Sequence, residues 1–507
     1  MEKTHELIKS LSKSEKRMIK MRLNASKSDS ILNTIFDTLC KQSKFDLKTL
    51  SKITKQTESL TKVSLRLLFE VVLKHLRSND STKSKELELR DSLSIVKLLK
   101  DRKLINEASI RCAKLIKEAV LFEEFTVLHE ASFEYWNIHL LKTDLSVDNH
   151  SQIQAQIKNS EDKIKETNHL ESIYRQTAFY YQEYYFKKRN TETKEKLVEA
   201  TSFLPPFAIL KSVKAKHTFY EIKCMESVVL ANVKVHYNLR KEQLLLMFSS
   251  VVFDDKNLHK LLVLSNIFMF LKTKGYINHL QSYLNFTRKF FSEKINKNQD
   301  WALSERYYDI YFQNEIYIQI WVQNEERIDT LFEEFKEVLK KNIIDNKHLV
   351  SRIYLAFIEL FIISNKFKKA QEFLVDFFYL LKKSKTSINY IEGEVFSIIT
   401  NFLVGNLDIS ESQTINLRRK VKRNNIDLGK DLKSLFELLQ HSTTKKEKSI
   451  NEYLGEIDIR MTFKLLIIQL KEGVEISNSI REQHYMIKDK DYSEQNDEYL
   501  NQLKRYL

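Results

Sequence analysis

The chain has 507 residues, only 6 of them Gly and 2 of them Pro, where ordinary usage would give roughly 35 and 25. The first 274 positions contain no glycine at all, which removes the positive-φ residues that hairpins, nucleotide loops and strand-to-helix elbows draw on. The net charge of +15 is unevenly spread: residues 1–100 carry 22 Lys/Arg against 12 Asp/Glu, a net of +10, leaving +5 for the other 407.

An all-helical chain is the reading left. Single cores stop growing near 250–300 residues, so a chain of this length divides into domains or stacks repeats. Its 42 % apolar and 11 % aromatic content is enough to bury, which argues against disorder. Lys, Asn, Ile, Phe and Tyr are plentiful, as AT-rich codons would produce. That bias acts along the whole chain and does not predict the N-terminal excess of charge. The first twenty residues carry Lys3, Lys9, Lys13, Lys16, Arg17 and Lys20 with no apolar core between them, unlike a secretory leader. The longest apolar stretch, Ile353 to Ile363 broken by Glu359, falls short of the ~18 residues of a membrane span. Cys40, Cys112 and Cys224 form no CxxC pair. A cytoplasmic protein with reduced thiols and no membrane contact is expected.

In chain order, helical periodicity recurs nearly everywhere. Residues 1–80 read as a basic N-terminal region of four or five short helices. Ser12-Lys13-Ser14-Glu15 fits a capping box, so a helix should start near Lys13. Lys13, Lys16, Arg17 and Lys20 then share one face, with Met18, Ile19 and Met21 around the opposite side. Apolar helices follow at Ile31–Cys40, Leu47–Ile53 and Leu65–Leu76. Residues 81–203 read as longer helices, with Leu115, Ile116, Ala119, Val120 and Leu121 continuing an apolar stripe and a polar loop near Asp144–Ser151. Pro205-Pro206 cannot sit inside a helix, so a boundary falls near 202–206 and a helix begins there.

Residues 204–507 show helix pairs with short polar turns. The clearest runs from Leu349 to Lys383 around the turn Ser364-Asn365-Lys366. Tyr354, Phe357 and Phe361 on its first helix, with Phe367, Ala370, Leu374 and Phe377 on its second, resemble a tetratricopeptide unit. Small Ala370 lets the two helices approach while the large residues fill the groove between neighbouring pairs. Ile358 stands where that family prefers Gly, and Lys382 where it has Pro. Echoes recur around Leu264, Ile267, Leu271, Gly275, Leu280 and Leu284, and around Ile320, Asn324, Ile328, Leu331 and Phe335. Turns roughly 40 to 50 residues apart suit a degenerate helical repeat better than a strict 34-residue array. The opening Leu11-Ser12-Lys13-Ser14-Glu15-Lys16-Arg17 is also similar to the start of uncharacterised bacterial helical-repeat proteins. The resemblance implies stacked antiparallel helix pairs in a TPR-like α-solenoid and carries no activity with it.

Catalytic patterns are missing. The six glycines are too dispersed for GxGxxG, a Walker loop or GxSxG. The thirteen histidines include no HExxH, and His129-Glu130 is followed by Ala131-Ser132-Phe133. Carboxylate pairs such as Glu123-Glu124 and Glu333-Glu334 read as solvated helix faces. No cofactor and no metal are expected.

Two further segments could bind. Tyr174, Phe179, Tyr180, Tyr181, Tyr184, Tyr185 and Phe186 precede Lys187, Lys188 and Arg189, a pattern that could stack bases beside phosphates. Their helical spacing assigns most of these rings to the core instead. Arg418, Arg419, Lys420, Lys422 and Arg423 crowd a helix C-terminus, where cations favour the dipole without any ligand. The sequence therefore reads as a non-enzymatic interaction scaffold offering a repeat groove to a protein or peptide. The alternative is nucleic-acid or ribosome association through Lys13, Lys16, Arg17 and Lys20 on the basic N-terminal helices.

Overall fold

The computed structural model describes residues 2–426 and 493–506, apart from positions 12, 26–29, 43–44, 81–83, 143–145, 188–189, 299–300, 345, 383 and 386. Ser12, the start of the expected capping box, and Lys188 and Arg189 lie outside the described residues, as do the side chains of Lys13, Phe186 and Lys187. Among the described residues there is no strand. No helix among them is long and apolar enough to cross a membrane.

The helices are α1 (Glu2–Ser10), α2 (Lys13–Ala25), α3 (Ser30–Lys41), α4 (Leu47–Thr54), α5 (Glu58–Asp80), α6 (Lys85–Asp101), α7 (Ile105–Leu121), α8 (Phe125–Lys142), α9 (Val147–Gln182), α10 (Thr191–Ser202) and α11 (Val213–Val229). There follow α12 (Val233–Ser249), α13 (Asn257–Lys274), α14 (Ile277–Asn298), α15 (Trp301–Val322), α16 (Glu325–Lys340), α17 (Lys347–Ile363), α18 (Phe367–Leu380), α19 (Ile388–Leu403), α20 (Leu407–Asn424) and α21 (Ser493–Lys504). Consecutive helices pack on one another in an all-α, solenoid-like fold. The contacts divide the chain into two compact units. One is Met1–Glu183 with Thr191–Ile222 and Ser250–Asp255; the other is Tyr184–Asn190, Lys223–Ser249 and Lys256–Leu507.

In the first unit, α3 and α5 anchor the N-terminal helices, and their core joins Ile8, Ile19, Leu23, Phe36, Leu39, Leu50 and Leu68. Ile19 is fully buried as its face predicts, while Met21 is 66 % exposed. A second core links α6, α7 and α8 through Leu89, Val96, Cys112, Leu115, Ala119, Leu128 and Ala131. Val120 and Leu121, expected on the same stripe, face solvent. The polar segment near Asp144–Ser151 is helix from Val147 onward, because the Ser146 hydroxyl accepts the Asn149 amide at 3.2 Å and caps α9. Burial pushes the Cys112 thiol up to about 12, and Cys224 is likewise buried and in no disulfide.

Turns without glycine are closed by other residues in the left-handed region. At the ends of α6, α7, α11, α16 and α17 this position is Lys103, Glu123, Ala231, Asn342 and Asn365. The next amide bonds back to the helix, as from Leu104 to the Leu99 carbonyl, Asn232 to Ser227 and Lys366 to Phe361. This is the geometry in which Gly is favoured, and here Gly275 supplies it only after α13 and Gly405 only after α19 among the described residues.

The proline pair opens a short 3-10 turn, Phe207–Ile209, and the α-helix starts only at Val213. Its start is fixed from afar. Glu123 Oε1 and Oε2 accept the amides of Val213 and Lys214 at 2.9 and 2.8 Å. Glu166 does the same for Lys211 and Ser212 at 3.0 and 3.2 Å, and Ser212 Oγ accepts the Ala215 amide. Two carboxylates thus occupy the positive end of α11. Glu124 binds Lys214 Nζ at 2.6 Å. The Glu123-Glu124 pair, expected to be a solvated face, is therefore a structural clamp.

Candidate partner-binding surface

In the second unit α13, α15, α17 and α19 lie side by side, each packed on the next and on its own following helix, α14, α16, α18 and α20. Phe357, Phe361, Ala370, Leu374 and Phe377 are buried, and Tyr354 and Phe367 are half-buried. The centre of the cluster is Phe373, which sequence reasoning missed. Its ring lies 4.8 Å from Phe332, 5.1 Å from Phe361 and 5.5 Å from Tyr354. Its place three residues after Ala370 and four before Phe377 was the signal that could have found it.

Polar bridges stitch the four helices of the row together. Tyr317 Oη donates to the Lys272 carbonyl at 2.9 Å. Asp309 Oδ2 holds Arg306 Nη1 at 3.0 Å and faces Arg352 Nη1 at 3.9 Å. Asn389 Nδ2 donates to Ser351 Oγ at 2.8 Å, and Glu305 accepts the Asn346 amide at 2.8 Å. Asp309 is 1 % exposed, and burial raises its pKa against the opposing pull of Arg352, Arg306 and Lys272. The side chains of Arg306 and Arg352 keep 33 % and 48 % of their surface in solvent. One sunken carboxylate thus aims two accessible guanidinium groups from neighbouring helices. Between α15 and α16, Arg327 Nε binds Glu315 at 2.8 Å and its Nη1 binds Glu334 at 2.8 Å, while Tyr311 Oη donates to Glu334. Glu334, read from sequence as a solvated face, belongs to this network.

The α18–α20 end of the row holds a cavity of about 300 Å³ lined by Phe378, Tyr390, Glu394, Gln413 and Lys420. Lys420 Nζ reaches both Glu394 oxygens, at 2.9 and 3.0 Å, and lies 4.4 Å over the Tyr390 ring. Lys420 is thereby drawn away from its neighbours, while Arg418, Arg419, Lys422 and Arg423 are exposed on the last turns of α20.

In the first unit, Lys20 pairs with Asp37 at 2.7 Å, Lys16 is half-buried and Arg17 is exposed. The aromatic segment departs from its expected place. Leu170, Ile173 and Thr177 are the buried positions near the end of α9; Tyr174, Phe179 and Tyr185 are exposed, and Tyr180, Tyr181 and Tyr184 half-buried. Even helical spacing marked a periodic face but not the side that α8 and α10 cover. His129 Nδ1 lies 3.3 Å from Ser160 Oγ, a link from α8 to α9.

Within the second unit, α21 lies against α14, with Tyr499 Oη donating to the Lys241 carbonyl on α12 at 2.7 Å. Nothing in the sequence reading anticipated that contact.

Comparison of the chain with protein-family models, curated proteins and solved structures found no match.

Proposed function

We propose that the chain is a non-enzymatic, tetratricopeptide-like scaffold that binds a protein or peptide partner on the row formed by α13, α15, α17 and α19. The observation that carries this reading is the stitched row itself. Four parallel-stacked first helices, braced behind by their partners, hold Arg306 and Arg352 at fixed spacing over buried Asp309. Guanidinium groups fixed by a carboxylate suit a partner segment that carries carboxylates, which they can meet with charge-assisted hydrogen bonds. The rigid row limits the entropy lost on binding.

The reading is tested by affinity purification of the tagged chain from native lysate, with and without nuclease, beside an Arg306→Glu/Arg352→Glu variant. Partners should survive nuclease and be lost from the variant. Association that vanishes with nuclease and falls steeply with salt would instead support phosphate-backbone binding. That second reading draws on the N-terminal excess of charge and on exposed Arg17, Arg418, Arg419, Lys422 and Arg423.

A further inference from the structure

The end of the chain returns to its own second unit. α21 has 12 residues, too few to hold a helix unaided in water, so its order depends on the surface beneath it. It meets that surface with one stripe, Tyr499 and Leu500 followed by Leu503, spaced four and three apart, and Tyr506 follows in the turn after the helix. Leu503 is fully buried, and Tyr499 and Leu500 are each 6 % exposed. The Tyr499 ring stacks 6.2 Å from Tyr283 on α14 and stands 4.5 Å from Lys241 Nζ, which also lies over the Tyr237 ring of α12. Tyr506 lies 5.8 Å from Phe248 at the end of α12.

We propose that the aromatic face between α12 and α14 is a helix-binding site, and that α21 of the same molecule is its removable occupant. The receiving surface has the makings of a docking groove: rings from two neighbouring helices, one lysine stem among them, and a carbonyl that accepts from a phenol. The ligand it takes is an amphipathic helix with a Tyr-Leu-x-x-Leu stripe. Its occupant comes from 258 positions along the chain from Lys241, so the contact joins segments far apart in sequence within one molecule. A partner helix with the same stripe competes with α21, which belongs to the same molecule and so has an effective concentration that the partner must beat. This rests on the scaffold reading for the competitor alone; occupancy by α21 is testable without any partner.

The probe is a fluorescein-labelled synthetic peptide of residues 493–507, followed by anisotropy with the full-length chain. A Leu503→Asp chain, whose own helix is expelled, should bind the peptide at least tenfold more tightly than the wild-type chain. A peptide carrying Leu503→Asp should bind neither. Circular dichroism checks that the variant chain keeps its helix content. A second measurement avoids the substitution: a specific protease site is inserted after residue 488, cleavage is followed by mass spectrometry, and in the cleaved protein the segment carrying α21 should exchange with added peptide on dilution. Equal binding to both chains, or a cut segment that never exchanges, overturns the proposal by making α21 a permanent part of the core. A wild-type dimer in light scattering that Tyr499→Ala converts to monomer overturns it too, since the occupant would then come from a second copy. Peptide exchange without any nuclease-resistant partner in lysate would sink the scaffold reading and leave the docking site standing.

Discussion

Gly393 on α19 sits so close to Phe377 on α18 that a Cβ added to it would lie 2.2 Å from the ring's Cε1. The glycine is helical, so its use here is space and not a special φ. Gly393→Ala should lower stability by about 1–3 kcal/mol through overpacking. Phe377→Leu in the same chain should recover part of that loss, although Phe377→Leu alone destabilises. The denaturation midpoints of the three variants form a double-mutant cycle, and strict additivity would show that the two positions do not compete for room.

Glu123 and Glu166 cap one helix from two different elements. Glu123→Ala and Glu166→Ala should each cost about 1–2 kcal/mol, the size of a lost helix cap with its amides left to find water. Hydrogen exchange should speed up at residues 211–214 and at few other places. Glu124→Ala removes only the partly exposed pair with Lys214 and should cost under about 1 kcal/mol. Uniform loss of protection across α9 and α11 would mean that the carboxylates serve global packing instead.

Ala231 ends α11 at φ 55°. An L side chain is strained there, so Ala231→Gly should raise stability by about 0.5–1 kcal/mol and Lys103→Gly by a similar amount. Asn342→Gly should gain less, because Asn tolerates this region. Ala119→Gly, inside α7, should lower stability by about 1 kcal/mol or more. Melting temperatures distinguish these signs directly.

Asp309 gives a pH dependence. Burial raises its folded pKa above the ordinary 3.8, so the folded state holds the proton more tightly than the unfolded chain does. Its contribution to stability is therefore fully present below about pH 3.8 and falls as pH rises through the folded value. Asp309→Asn cannot titrate. Its melting temperature minus that of the wild type should become more positive between pH 3 and pH 7. A difference that becomes more negative over that range would show that Arg306 and Arg352 outweigh burial.

The all-α class and many helix bounds were legible because short-range patterns decide them. Ile31–Cys40 and Leu47–Ile53 fall within α3 and α4, and the turn at Ser364-Asn365-Lys366 separates α17 from α18 where apolar spacing said it would. What stayed hidden depends on distant partners. Glu123 is 90 positions from Val213, and Tyr499 is 258 from Lys241, separations that local periodicity does not sense. The same limit explains the rings of α9: their spacing was visible, but which face meets α8 and α10 is settled by tertiary packing. The polar run at 147–151 misled for another reason, since polarity there reflects an exposed first turn of helix rather than a loop.

The distance between Lys241 and Tyr499 along the chain also sets a timetable. A ribosome adding roughly 5–20 residues per second needs about 13–50 seconds to travel from one to the other. Once α14 is complete at Asn298, 201 residues and about 10–40 seconds before Tyr499, α12 and α14 can already be paired while their tyrosine-lined seam still lacks its closing helix. A nascent chain would pass through a period in which this seam is open to chaperones or to an assembly partner, a window that the finished molecule then shuts.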